Sequence, residues 1–367
     1  MQIKFKGIKK TAKIVGLIVA ITLLFFATIL LLLSTKKVQN LIAQEIIAQV
    51  EEQIGVAVTL KKIEFDFPNK ISLQNARIAI PNYDQLLHAN SMEFKFSIWQ
   101  LLHRRIISDY LKINGLNFKI HILEDGSSNI DFLKNIQFSG NGLNAVSIKT
   151  IALDDCSFAF DDDRKAKKDT IFFDNNHFCI NKINTTISIN EYAKNKLNLV
   201  VEHFGFEESS GFKVVDLNTK IELNEQALII PNFALKLNKS SLKTDTIKFQ
   251  FEQIGDLFDQ QTNVTVNAKL EPSEIVLSDL NNLHPALNGF SKKIQLKGEV
   301  NGTLDSLSVH DFDFNYADEL QLQGELQLKN LQKTLNEIYV DANIKKLSFS
   351  VPCIQDIVAS LQKKPLV

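Results

Sequence analysis

Beyond residue 55 the chain alternates between apolar and polar positions. Ile63, Phe65 and Phe67 are separated by Glu64 and Asp66, and Met92, Phe94, Phe96 and Ile98 by Glu93, Lys95 and Ser97. Leu116, Phe118, Ile120 and Ile122 alternate with Asn117, Lys119 and His121. The same period continues through Val215, Leu217, Thr219, Ile221 and Leu223, through Val264 to Leu270, and from Ile294 into Val300. It ends with Leu320, Leu322, Leu326 and Leu328, then Ile338, Val340, Ala342 and Ile344. Successive strand side chains point to opposite faces, so this period predicts half-buried strands, one face apolar and the other wet. About seventeen strand segments are expected on this basis. Helical interruptions are expected only at 98–105, 127–135, 273–287 and 354–361.

A single sheet of that many strands would run roughly 80 Å at about 4.8 Å per strand. Open sheets seldom exceed about ten strands without curling or splitting. The alternatives are stacked sandwiches or one long curled sheet whose apolar face lines a trough. Long strand segments at 292–304, 306–316, 318–328 and 337–349 favour the second. The Cys…Trp…Cys signature of immunoglobulin-like sandwiches is absent. The expected fold is therefore mainly β: an elongated, curled, antiparallel, taco-like β-groove.

Ahead of residue 55 the pattern differs. Residues 14–33 carry no charge over twenty positions, including Ile14, Leu17, Leu24, Phe25, Phe26 and Leu33. At about 1.5 Å per residue such a helix spans the roughly 30 Å hydrocarbon core of a bilayer. The run exceeds the apolar region of a signal peptide, and Leu33-Ser34-Thr35 offers no small-residue cleavage site. A retained single-pass anchor is expected. Lys4, Lys6, Lys9, Lys10 and Lys13 precede it and only Lys36 and Lys37 follow closely. The more basic flank stays cytoplasmic, which exports the rest, into the periplasm of a double-membraned bacterium. Between the anchor and the strands, Val38, Ile42, Ile46, Val50 and Ile54 recur every four residues. They predict a short amphipathic helix that stops at Gly55.

Net charge is −1, and removing the five basic N-terminal residues leaves 36 basic against 42 acidic groups. Such a body offers no basic field for nucleic acid. Among aromatics, 26 Phe stand against five Tyr and one Trp, so the apolar surface is built from rings without polar atoms. Cys156, Cys179 and Cys353 show no metal or redox spacing. Three small buried apolar residues are expected, with a Cys156–Cys179 disulfide as the alternative.

Catalytic chemistry finds little support. Asp154-Asp155 and Asp161-Asp162-Asp163 lack the alternating ligands and glycine of a calcium loop, and the second run leads into Arg164, Lys165, Lys167 and Lys168. A solvated hairpin tip is expected there. The seven His show no metal-pair spacing, and no nucleophile elbow or phosphate loop occurs. His121 reads as a wet strand residue, Trp99 as a core residue of a helical turn, and Gly298 and Gly302 as a bulge or bend. No enzyme activity, metal or cofactor is expected.

Several segments taken in order resemble one family. IGVAVTL at 54–60, ISLQNA at 71–76, SIWQLLHRR at 97–105, LKINGLNF at 111–118 and DGSSNI at 125–130 are similar to the AsmA-like superfamily. The nearest match is the N-terminal part of TamB-type translocation and assembly proteins, and LKGEVNGTL at 296–304 resembles their repeats. The resemblance implies a division into 1–35 (basic tip and anchor), 36–135 (AsmA/chorein-like helix and β region) and 136–367 (extended β-groove). It also implies an inner-membrane-anchored, bridge-like protein whose groove carries phospholipid between the inner and outer membranes. The groove would be lined by Ile63, Phe65, Phe67, Met92, Phe94, Phe96, Ile98, Leu116, Phe118, Ile120, Ile122, Val215, Leu217, Ile221 and Leu223. A further implication is an outer-membrane β-barrel partner. Two other readings stand beside it: an assembly factor for outer-membrane β-barrel proteins or autotransporters, and a closed structural β-protein. TamB-type proteins are several times longer and end in a domain not seen before Val367.

Overall fold

The computed structural model describes residues 35–37, 44, 47–48, 51, 55–66, 69–80, 86–96, 106–132, 146–168, 172–193, 195–258, 264–283, 292–303, 305–331 and 337–362. The anchor expected at 14–33, the helix expected at 98–105, Phe67, Ile98 and Trp99 lie outside the described residues. Of the amphipathic segment, the described positions Gln44, Ile47, Ala48 and Glu51 are helical.

Strands dominate, and they join one open sheet. Along the chain these are β1 (Ala57–Thr59), β2 (Lys62–Asp66), β3 (Lys70–Ala79), β4 (Leu87–Phe96), β5 (Ile106–Ile122) and β6 (Val146–Ile148). Next come β7 (Thr150–Asp162), β8 (His177–Ala193), β9 (Lys196–Glu208), β10 (Lys213–Val214), β11 (Asp216–Leu223) and β12 (Ala227–Lys236). The last six are β13 (Ser241–Gln250), β14 (Thr265–Val276), β15 (Lys293–Thr303), β16 (Ser306–Tyr316), β17 (Leu320–Lys329) and β18 (Tyr339–Phe349). A helix, α1 (Val351–Gln362), follows directly.

Pairing runs in chain order. β1 and β2 share one edge of β3, β6 and β7 one edge of β5, and β10 and β11 one edge of β9. Three ranks are thus broken strands, and the eighteen segments make fifteen ranks. At about 4.8 Å each they extend roughly 70 Å. β1/β2 forms one free edge and β18 the other. Every pairing is antiparallel except that of β5 with β6 and β7. A parallel join needs a crossover, and the connection through residues 123–145 supplies its length. It starts in a tight turn whose Asn129 is fully buried. The Asn129 side chain donates to the Lys119 carbonyl (2.7 Å) and accepts from the His121 amide (3.0 Å), closing the end of β5.

Two expectations meet a different outcome. Residues 273–276 extend β14 instead of starting a helix, and a 3-10 turn, Leu277–Leu280, follows. Pairing of Ser273 with Leu296 and Ile275 with Ile294 outweighs the local helical spacing. At 127–135, the described part holds only a short 3-10 turn at Asp131 and Phe132. The helix expected at 354–361 is present within α1.

Candidate functional site

Residues opposite one another across neighbouring strands share a face, so the register traces the apolar surface. One row reads Val58, Ile78, Leu87, Phe118, Phe158 and Ile180 across β1, β3, β4, β5, β7 and β8. Nearer the other end of the strands, Leu223, Leu228, Phe249 and Val266 form a second row across β11 to β14. Ile294, Tyr316, Leu320 and Phe349 carry the same face to β18. Rings cluster in the first half: Phe118 stacks on Phe158 at 5.9 Å, and Phe178 lies 5.8 Å from Phe158 and 5.7 Å from Phe160. Such contacts contribute about 0.5–1.5 kcal/mol each beyond the area they cover.

The alternation changes phase in mid-strand while the apolar face does not. Ile71 and Leu73 give way to Ala76 and Ile78, Leu111 and Ile113 to Leu116 and Phe118, and Ile151 and Leu153 to Cys156 and Phe158. At the change stand residues with positive φ: Asn75 (52°), Gly115 (60°) and Asp155 (50°), then Lys182, His203, Asn232 and Asp311 further on. Each inserts one extra residue or a left-handed turn, and a β-bulge bends its strand and sharpens the twist. Register shifts mark the same place between β13 and β14, β14 and β15, β15 and β16, β16 and β17, and β17 and β18. Gly115 faces Asn90, whose side chain fills the space a Cβ would need, so glycine is required there on two counts. Side chains satisfy the amides that the bulges free: Asp155 donates to Asn184 Oδ1 (2.9 Å), His203 to Asn218 Oδ1 (3.0 Å) and Lys243 to Ser273 Oγ (3.0 Å). A crease therefore crosses the sheet, perpendicular to its strands.

The other face is charged and internally paired. Lys112 meets Asp154 (3.5 Å), Lys119 meets Asp161 (3.1 Å) and Lys297 meets Asp313 (3.4 Å). Hydrogen bonds from Lys182 and Lys213 hold the Glu207 carboxyl down at about 2. A hollow of about 540 Å³ lies over the crease on this side, bordered by Lys269, Glu299, Lys297, Asp313 and Lys345. Its cations already have partners, Lys269 with Glu299 (3.2 Å) and Lys345 with Glu325 (2.7 Å), so it presents no unbalanced charge to a ligand. The acidic run is not a bare solvated tip: Arg164 grips Asp162 with two hydrogen bonds of 2.8 Å, and His121 pairs with Asp163 at 2.8 Å. Among the described residues no group of three or more His, Cys, Asp or Glu is placed to hold a metal.

The expected lining residues can now be placed. Ile63 is buried on β2, while Met92, Phe94, Leu116, Phe118, Ile120, Ile122, Leu217, Ile221 and Leu223 are half-buried on the apolar face. Phe65 sits opposite Ile71, and Phe96 opposite Ser108 at a register shift. Val215 stands apart: it is exposed at the break between β10 and β11, and Val214 is the residue beside Phe206. Phe158, Phe160, Phe178, Phe204 and Phe206 belong to the face and were missed. An Asn, Asp or Gly between two out-of-phase apolar runs is the signal that finds such residues. Cys156 and Cys179 lie on opposite faces and none of the three Cys forms a disulfide; Cys156 and Cys353 are buried and Cys179 half-buried. Burial pushes the Cys156 thiol up from its ordinary range.

Coverage of the apolar face is lateral. Among the phenylalanines whose burial is described, Phe251 is buried, Phe349 exposed and the others half-buried. Face-to-face packing of two sheets closes rings of this size almost completely. The sheet is not closed. Among the described residues α1 lies on it, with Cys353 against Ile294 and Tyr316 and flanked by Leu296, Phe314 and Leu320, and Phe173 of the loop before β8 reaches Phe178 at 5.5 Å.

No family model matches the chain, and no curated protein matches it. No helix of the described residues is long and apolar enough to cross a membrane.

Proposed function

We propose that the chain is an inner-membrane-anchored periplasmic protein whose apolar face, curled along its crease into a taco-like trough, carries phospholipid towards the outer membrane. One observation carries this reading: among the described residues a largely apolar face runs through the paired strands from β1 to β18, and no second sheet packs on it. An acyl chain in water costs about 0.8 kcal/mol per CH₂, so passage over an aqueous gap needs a predominantly apolar lining. Phe, Ile, Leu and Val give successive positions of nearly equal energy, along which a chain slides. The headgroup stays outside the trough, in water. Bulges in line are the device by which strands bend together, which supports the curl. The uncharged run at 14–33 and its lysine flank support the anchor.

Photo-crosslinkers test the trough directly. One placed at Phe118 captures lipid, while one at Lys119 on the opposite face does not. Phe118→Asp abolishes capture and transfer while the melting temperature changes little, because a hydrated trough admits water around the charge. A collapsed melt, with no lipid adduct in the wild type, would return the face to a packed core.

A second reading, an assembly factor for outer-membrane β-barrel proteins or autotransporters, is favoured by the edge of β18. Among the described residues nothing pairs with it beyond β17. An unfolded strand adding there would protect the backbone amides of 339–349 from exchange. Unchanged exchange in the presence of such a peptide removes this reading.

A further inference from the structure

Hairpin tips along one rim of the sheet are tied to one another over an unusual distance. Six ranks, β8 to β14, lie between the tip that joins β7 to β8 and the tip that joins β14 to β15, roughly 29 Å at about 4.8 Å per rank. Yet the Phe173 amide, in the first tip, donates to the Asn282 carbonyl, in the second, at 2.8 Å. Residues 277–283 supply the reach. Leaving β14, they pass the β12–β13 tip, where Asp279 Oδ2 accepts from the Lys239 and Ser240 amides (2.7 and 2.8 Å) and from the Ser240 hydroxyl (2.8 Å). Ser240 is buried, and its Oγ accepts in turn from the Val276 amide at 2.9 Å. Next comes the β9–β10 tip, where the Asn282 side chain fills the space that a Cβ on Gly211 would need. Four successive tips are thus laced together.

Both ends of this lacing sit on the apolar side. The Phe173 ring lies 5.5 Å from Phe178, and Leu277 packs against the cluster of Ile294, Tyr316 and Cys353 under α1. Between them, at the β9–β10 tip, Phe206 and Phe212 are 6.1 Å apart. At the opposite rim the corresponding bonds join adjacent tips, from the Phe251 amide to the Gln226 carbonyl (3.1 Å) and from the Leu331 amide to the Asp305 carbonyl (3.3 Å). The bonds at Asp279 and Asn282 belong to no strand ladder, so they can open without unpairing the sheet. We propose that residues 277–283, joined to Phe173, form a strap that closes this rim to acyl chains, so that lipid enters and leaves the trough across the opposite rim until the strap is released. The proposal rests on the lipid-carrying reading above and adds where the cargo crosses.

Asp279→Ala in the full chain tests the strap, because it removes the three bonds at the β12–β13 tip. The Phe173 amide bonds to Asn282 and not to Asp279, so a merely local role for Asp279 would leave its hydrogen exchange unchanged. Exchange at Phe173 is expected to quicken about tenfold or more, while the amides of β8 and β14 keep their protection. Asp279→Asn, whose side-chain oxygen still accepts, stays close to the wild type. For the lipid arm, the chain is held in nanodiscs and supplied with vesicles of labelled phosphatidylglycerol, with photo-crosslinkers at Phe206 by the strap or Leu223 by the opposite rim. Wild type captures the label faster at Leu223, and Asp279→Ala raises the Phe206 rate several-fold without changing that at Leu223. Unchanged exchange at Phe173 overturns the strap. Quickened exchange with an unchanged Phe206 rate, or equal wild-type rates at the two positions, overturns its role in closing the rim. Absence of adduct at Phe118, Phe206 and Leu223 alike sinks the trough and the rim's role with it, and exchange at Phe173 then tells that failure from failure of the strap.

Discussion

The strip of sheet beneath α1 and the last strand β18 carry the same apolar alternation and meet opposite surroundings. Ile294 and Tyr316, under the helix, are 9 % and 6 % exposed. Val340 and Leu347, two or three ranks away on the same face, are 56 % and 55 % exposed. Strand pairing explains only part of the difference: β18 is paired along its length with β17 alone, while β15 and β16 have neighbours on both sides. Lateral neighbours cover the flanks of a side chain, and only a second layer covers its tip. Depth of burial in this protein therefore reports layering, whereas alternation reports only which side a residue is on. The middle ranks fall between these extremes, with strand neighbours on both sides and, among the described residues, no helix or second sheet above them.

The largest effect should come from a charge at the middle of the face, measured against the same charge at its end. Phe158→Asp removes a ring that touches Phe118 and Phe178, and it leaves a carboxylate among half-buried apolar groups. A loss of about 1–2 kcal/mol, from its two ring contacts since water in an open trough still reaches the carboxylate, is expected in chemical denaturation, against about 0.5 kcal/mol or less for Leu347→Asp. Equal losses would mean that β18 is covered in solution, and would break the comparison. Phe118→Asp, at the wall of the same ring cluster, is the variant that separates lipid capture from stability.

A smaller and local effect is expected under the helix. Cys353 is fully buried between α1 and the sheet, so Cys353→Asp forces either an unpaired buried charge or release of the helix. Release is the less costly outcome. Amides of 351–362 should then lose about tenfold or more in exchange protection, equivalent to about 1.4 kcal/mol, while β15 and β16 keep theirs. Coupled loss across the sheet would show that α1 is part of one cooperative unit with it.

The smallest effect concerns the rim, away from both regions. Arg164 holds the Asp162 carboxyl down at about 2 through its side-chain hydrogen bonds. In the unfolded chain an aspartate titrates near about 4. Between these values the unfolded state binds the proton first, so the stability this pair contributes is complete above about pH 4 and is lost as pH falls towards 2. Asp162→Asn should flatten the decline of melting temperature across that window. An unchanged slope would show that Arg164 does not grip Asp162 in solution.

Much of this architecture was legible in the residues. Alternation located the strands near their observed limits, as at 306–316, and separated Lys119 from Phe118 before any register was known. The crease was hidden, although its residues were in view. Asn75, Gly115 and Asp155 look like ordinary polar positions until pairing shows apolar runs of opposite phase on either side of each. Reading each strand from one half alone is what left out Leu111, Ile113 and the Phe158–Phe178 cluster.

The sequence by itself determined that this protein is built of two-faced strands, because the pleat assigns each residue a side from its immediate neighbours. Only the tertiary structure decided that the strands form one open sheet in chain order, that Cys156 and Cys179 lie on opposite faces, and that α1 folds back over the apolar face. Those outcomes depend on pairings between residues far apart in the chain, and on what lies above a face, neither of which a local period encodes.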